Sequence, residues 1–179
     1  MRRPVLHRFR CGWALWAVSL VIATAAETPA AFIPAAERGL PLVRTFLPRQ
    51  YRGHEQIWSI TETRDGLLLF GNLDHVVEFD GQNWRNIPVP GGSYIRVMVR
   101  DAEGTVFLGG VNEVGRLVPG PDGQLAYESL RALVPKELGD IGPFFSGHVR
   151  PDGVWLQANN ALLHWNGRSL LVRPDRVVA

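Results

Sequence analysis

The chain has 179 residues, about enough for one domain. Its formal charge of +2 is unevenly placed: Arg2, Arg3, Arg8 and Arg10 crowd the N-terminus and the remainder is slightly acidic, so the overall basicity gives no argument for a nucleic-acid partner. The one cysteine, Cys11, lies in the same leader, which leaves the remainder without material for a disulfide or a thiolate metal site.

Residues 1–26 have the three parts of a secretory signal peptide. Met1 to Arg10 is basic, Gly12 to Ala23 is apolar, and Ala23-Thr24-Ala25 offers small residues for cleavage. The apolar core runs about a dozen residues where a spanning helix needs about 20. Cleavage is expected after Ala25 or Ala26, which places the mature chain in the periplasm or outside the cell. An uncleaved N-terminal anchor is the alternative. A lipoprotein is rejected because Cys11 precedes the apolar run.

Residues 27–53 carry Pro29, Pro34, Pro41 and Pro48, a spacing that excludes a long helix and predicts an extended lead-in. Leu42-Val43-Arg44-Thr45-Phe46 reads as a short edge strand.

From residue 54 the chain repeats itself. Ile57 to Glu62, the turn at Asp65-Gly66, and Leu67 to Gly71 predict an opening hairpin, with a two-residue Asp-Gly loop. Val76 to Phe79, the turn Asp80-Gly81, and Asn83 to Ile87 add a third and fourth strand, and Pro88 and Pro90 then stop the sheet. The second copy runs through Val97–Arg100, Glu103-Gly104, Val106–Gly109, Val114–Val118, Asp122-Gly123 and Leu125–Glu128. A charged, partly helical connector broken by Pro135 follows over Leu130–Asp140. The third has Phe145–Arg150, Asp152-Gly153, Val154–Ala158, Leu162–Trp165, Asn166-Gly167 and Ser169–Val172.

Four short strands recurring every 40 to 50 residues or so are the mark of β-propeller blades. One twisted sheet cannot bury both faces by itself, whereas blades packed radially around a channel bury them against each other. The predicted organisation is all-β: blade 1 over 54–93, blade 2 with its connector over 94–142, and blade 3 over 143–179. That is three units of the roughly four to eight a propeller uses, so an incomplete propeller with two apolar blade faces uncovered and poor solubility is expected. Aligning the turn glycines puts Gly71, Gly109 and Ala158 in one column, where a small residue lets neighbouring backbones approach. It also gives apolar columns Leu68, Val106, Trp155 and Leu69, Phe107, Leu156, as strands buried on both faces would show.

The run Asp65-Gly66-Leu67-Leu68-Leu69-Phe70-Gly71, followed by Phe79-Asp80-Gly81-Gln82-Asn83-Trp84, resembles the two-component regulator propeller repeat. Leu163-His164-Trp165-Asn166-Gly167 repeats its later part, and Tyr51-Arg52-Gly53-His54-Glu55-Gln56-Ile57-Trp58 is similar to the lead-in of a first blade. The likeness spans about residues 40–174. Glu103 in place of Asp, and Gln157-Ala158 in place of an apolar residue and Gly, depart from the pattern. The resemblance implies a bacterial sensor in which the propeller is followed by a small β-sandwich, a membrane span and an output, often a histidine kinase. None of those later parts occurs in these 179 residues, so membrane attachment would come only through a signal or a C-terminal span outside them.

No catalytic motif stands out. There is no His-Glu-x-x-His, no Gly-x-Ser-x-Gly elbow and no phosphate loop. Asp74 beside His75, and Glu113 beside Asn112, are the nearest approach to acid–base pairs. The expectation is a non-enzymatic chain without metal or cofactor.

In a propeller the loops between second and third strands share one side with the loops between blades. That side would carry Asn72, Asp74, His75, Asn112, Glu113, Asn159 and Asn160, with Tyr94 from a connection between blades. Such residues suit a polar, oligosaccharide-like ligand, through hydrogen bonds and an aromatic face. The plainer reading is that Asn and Asp sit there because they tolerate turn geometry. Trp58, Trp84, Trp155 and Trp165 read most simply as blade packing, with a ligand platform as the alternative. Three functions remain open: a sensor segment of a two-component protein, a secreted interaction module that completes a ring with further blades or another propeller, and a carbohydrate-active propeller enzyme.

Overall fold

A computed structural model describes residues 43–91 and 94–174; the signal segment at 1–26 and the lead-in as far as residue 42 lie outside the described residues. Strands β1 (Ser59–Glu62), β2 (Leu68–Gly71), β3 (His75–Phe79) and β4 (Trp84–Pro88) pair antiparallel in chain order. So do β5 (Val97–Arg100), β6 (Val106–Gly109), β7 (Val114–Pro119) and β8 (Leu125–Ser129). The third set is β9 (Phe144–Arg150), β10 (Gly153–Ala158), β11 (Ala161–Trp165) and β12 (Leu170–Pro174). Successive sheets lie side by side with like strands adjacent: β1 is next to β5, β5 next to β9, and β4 next to β8. This is an all-β fold of three propeller-like four-stranded blades.

Alternation along each strand decides what fills the space between blades. Leu69, Val76 and Ile87 of blade 1 meet Met98, Val106, Leu108 and Leu117 of blade 2. On its other face, Val97, Phe107 and Val114 of blade 2 meet Phe144, Val154, Leu156 and Leu163 of blade 3. Each such side chain contributes about 1.5–3 kcal/mol by leaving water, so lateral packing dominates the stability of the array. Strand β6, covered on both sides, is buried at every residue. In blades 1 and 3, only the face toward blade 2 is fully covered, and Leu68 on the other side of blade 1 stays 37 % exposed.

Both apolar clusters hold because glycine and its neighbours let the blades close up. A Cβ on Gly109 would sit 2.5 Å from the Phe144 ring, and one on Gly71 would strike the Ile95 carbonyl. The expected column nevertheless slips by one in the third blade. Gly109 pairs with Val97 and Gly71 with Ser59, at the first residue of each inner strand, and the matching pair in blade 3 is Gln157 with Ser146. Trp155 therefore takes the place of Leu69 and Phe107, and Leu156 that of Leu108.

The cause is a turn. No first hairpin has the expected two-residue Asp-Gly loop. In blades 1 and 2 the amide of Gly66 or Gly104 donates to the carbonyl of Thr63 or Asp101, closing a three-residue loop that needs positive φ only at its glycine. In blade 3 Gly153 pairs with Arg150, so the loop is Pro151-Asp152 and one residue shorter. Aligning the three sequences on glycine absorbs that missing residue silently.

The lead-in also differs from expectation. Val43–Leu47 is not strand, and Pro48–Tyr51 forms a single helical turn, α1, that starts on proline. Phe46 and Tyr51 lie against Trp84, at 5.0 and 5.6 Å between ring centroids, and Phe46 also meets Phe79 edge-on. This part of the lead-in covers the outer half of the face of blade 1 that blade 2 leaves open, which was expected to be bare. The connector 130–140 carries two short 3-10 turns, Arg131–Leu133 and Lys136–Leu138, on either side of Pro135.

Candidate functional site

The loops between second and third strands and the loops between blades do meet at one end of the sheets. Ile95 N–H donates to the Asn72 carbonyl at 2.8 Å, Asn112 N–H to Gly142 at 2.9 Å, and Asn159 N–H to Pro143 at 2.9 Å. Each second-to-third loop is thus tied to the connection entering the next blade or, in blade 3, to the one entering its own.

Most of the polar residues at this end are consumed in building it. Asn72 is fully buried: its Nδ2 donates to the carbonyls of His54 and Gln56, and its Oδ1 accepts from the His54 amide. It pins the lead-in to blade 1. Asn112 adopts φ +54°, and its Oδ1 accepts from Arg131 and from the Ile141 amide. Glu113 is 7 % exposed, and its Oε1 accepts from Tyr127 and Ser129. Asn159 Nδ2 donates to Asn160 Oδ1, and Asn160 Nδ2 donates to the Asp140 carbonyl; both are exposed.

Asp74 and His75 do contact, with 2.6 Å between Oδ1 and Nδ1. The other ring nitrogen, Nε2, is buried without a hydrogen-bond partner among the described residues. It faces position 53, where a Cβ on Gly53 would come within 3.2 Å of it. A general base must reach its substrate's proton, and this nitrogen is buried beside Gly53.

Tyr94 is the open candidate that carries an aromatic ring. It holds φ +53°, is 39 % exposed, and meets the Trp58 ring edge-on at 5.5 Å. Trp58 also meets Arg96, whose guanidinium carbon lies 4.7 Å from that ring's centroid and 5.6 Å from that of Phe145. Trp58 and Arg96 hold one position in blades 1 and 2, and Phe145 lies at the corresponding place in blade 3, where the β9–β10 register shifts. Trp58 and Arg96 each donate their amide to the glycine opposite the next residue, Gly71 or Gly109. Phe145 immediately precedes Ser146, which pairs with Gln157, the counterpart of those glycines. Reading Trp58 as blade packing misses that it is 38 % exposed here. Arg96 and Phe145 carry no signal in the sequence, because only the contact between blades 2 and 3 brings them together.

The opposite end has clefts but none of these residues. One, of about 490 Å³, lies between blades 1 and 2 and is lined by Arg64, Asp65, Glu78, Arg85 and Glu103 among others. Another, of about 260 Å³, lies between blades 2 and 3, with Asp101, Glu103, Arg150 and Asp152. Their charges are largely spoken for: Arg85 forks onto Glu78 through two bonds of 2.8 and 2.7 Å, which with Glu78 beside it holds its guanidinium above its ordinary range, and Arg64 donates to the Ala102 carbonyl.

Among the described residues no group of three His, Cys, Asp or Glu is placed to hold a metal ion, and no helix is long and apolar enough to cross a membrane. The geometry defines a class, a protein of propeller-like antiparallel blades with a shared loop face. No family model matches the chain, and no curated protein does.

Proposed function

We propose that this chain is the ligand-sensing or partner-sensing propeller segment of a bacterial two-component signalling protein, acting outside the cytoplasm and without catalysis of its own. The observation that carries this reading is the loop face: in all three blades the second-to-third loop is hydrogen-bonded to a blade connection, and an open aromatic and cationic group sits where the inner strands begin. Contact there bears on the strands that set how neighbouring blades are held. A membrane-attached output could read that change. The Asp-Gly repeat supports the family, and the basic, apolar and small-residue order of residues 1–26 supports export with cleavage near Ala25 or Ala26.

The test is the reading frame immediately downstream of the codon for Ala179. Further Asp-Gly repeats, a membrane span and a kinase-like module are the expected result. A stop codon with no propeller-coding gene beside it would contradict the signalling role.

One observation favours a second reading, in which the blades complete a ring with further blades or another propeller. The face of blade 1 away from blade 2 keeps Ile60 64 % exposed beside Leu68, an apolar surface of the kind that association covers.

A further inference from the structure

We infer that Arg96, Trp58, Tyr94 and Phe145 form a binding site for a ring-shaped ligand bearing a carboxylate, of the acidic-sugar type. The inference deepens the ligand-sensing reading and rests on it only for the choice of face.

The argument begins with the Arg96 guanidinium. Its carbon lies over the Trp58 ring, within cation–π range of it, and within that range of Phe145 from the next blade as well. A cation–π contact uses none of the N–H donors of a guanidinium and leaves them available. Among the described residues, no carboxylate pairs with Arg96 and no side-chain hydrogen bond is made by it, whereas Arg85 and Arg116 each have a glutamate. A planar fork with an open rim matches a carboxylate through two parallel hydrogen bonds.

The base beneath the fork is rigid. Arg96 N–H donates to the Gly109 carbonyl at 3.0 Å. Its neighbour Ile95 is fully buried, donates to Asn72, and accepts from Ser59 Oγ at 3.0 Å. The backbone there needs no ordering on binding, which favours affinity.

The aromatic residues define the other half of the ligand. Trp58, Tyr94 and Phe145 are 38, 39 and 58 % exposed although Tyr94 meets Trp58 and Arg96 links Trp58 to Phe145. Exposed aromatic area beside a cation suits a ring with an apolar C–H face on one side and an anionic substituent at its edge. A bare inorganic anion would use only the arginine, and a neutral sugar only the rings.

The test is calorimetric titration of the full chain with sodium D-glucuronate, D-glucose and sodium sulfate. Glucuronate is expected to bind saturably, about tenfold or more tighter than either comparator. Arg96→Gln and Arg96→Lys should each weaken glucuronate by about tenfold or more, since lysine keeps the charge but loses the fork. Phe145→Ala, at a position more than half exposed, should keep the native circular dichroism and weaken glucuronate about threefold. It carries the test if the Arg96 variants fail to fold. Glucuronate binding that is absent, equal to that of glucose, or unchanged in the variants overturns the site, and sulfate binding as tight as glucuronate overturns the stacking half. None of these results alters the downstream reading frame, and a stop codon there would not alter the titration, so the two proposals fail separately.

Discussion

The hydroxyl of Tyr127 donates to Oε1 of Glu113 at 2.6 Å, and the Ser129 hydroxyl donates to the same oxygen. Glu113 ends the β6–β7 loop and Tyr127 lies on β8, so this pair locks the loop face of blade 2 to its outer strand. Burial first, and Glu113 second, push the Tyr127 phenol well above its ordinary value near 10.

A pH dependence follows from that shift. The native state keeps the Tyr127 proton where the unfolded chain releases it, so the contribution is fully present below about pH 10 and is lost as pH rises above it. Tyr51, raised by burial and then by Glu55, adds to the same alkaline loss. Tyr127→Phe should cost about 1–2 kcal/mol at neutral pH, because Glu113 loses a donor, and should flatten the alkaline fall without abolishing it. Urea midpoints between neutral pH and pH 11 check both parts.

The blade-to-blade approach at Gly109 gives a second expectation. Gly109→Ala places its Cβ 2.5 Å from the Phe144 ring and should destabilise by about 1–3 kcal/mol. Gln157 holds the equivalent register in blade 3 and is exposed. Gln157→Ala should therefore change stability by no more than about 0.5 kcal/mol. Equal losses at the two sites in denaturant melts would contradict the one-residue slip.

Asn72 tests whether a polar residue of the loop face serves structure. Asn72→Ala removes three hydrogen bonds to His54 and Gln56 and leaves the His54 amide without its partner. A loss of about 1–3 kcal/mol is expected, with faster hydrogen exchange at residues 54–56 and β7 unaffected.

The repeat makes the blades legible in the sequence: Asp65-Gly66, Asp80-Gly81 and Asn166-Gly167 mark turns, and alternation between them marks strands. What the sequence hid were matters of register and partnership. One residue fewer in the Pro151-Asp152 loop moved Trp155 to the face away from blade 2, and no local pattern reports a loop length when the glycine itself is kept. Leu42–Phe46 has strand-like composition, but Pro48 and the ring of Trp84 turn Phe46 to packing instead. At the loop face, residue type picked out the surface but could not tell buried, hydrogen-bonded members from exposed ones. Asn72, Asn112 and Glu113 find partners 14 to 29 positions away in the chain for their side chains, while the exposed group gathers Trp58, Tyr94, Arg96 and Phe145 from three blades.

The central claim is that the loop face at the start of the inner strands is where this protein meets its ligand. Hydrogen–deuterium exchange of the full chain with and without saturating sodium D-glucuronate tests it most directly. Slowed exchange confined to residues 57–59, 94–97 and 144–146 is the predicted result. Slowed exchange at 101–104 and 150–153, the clefts of the opposite end, with none at Arg96, would contradict it.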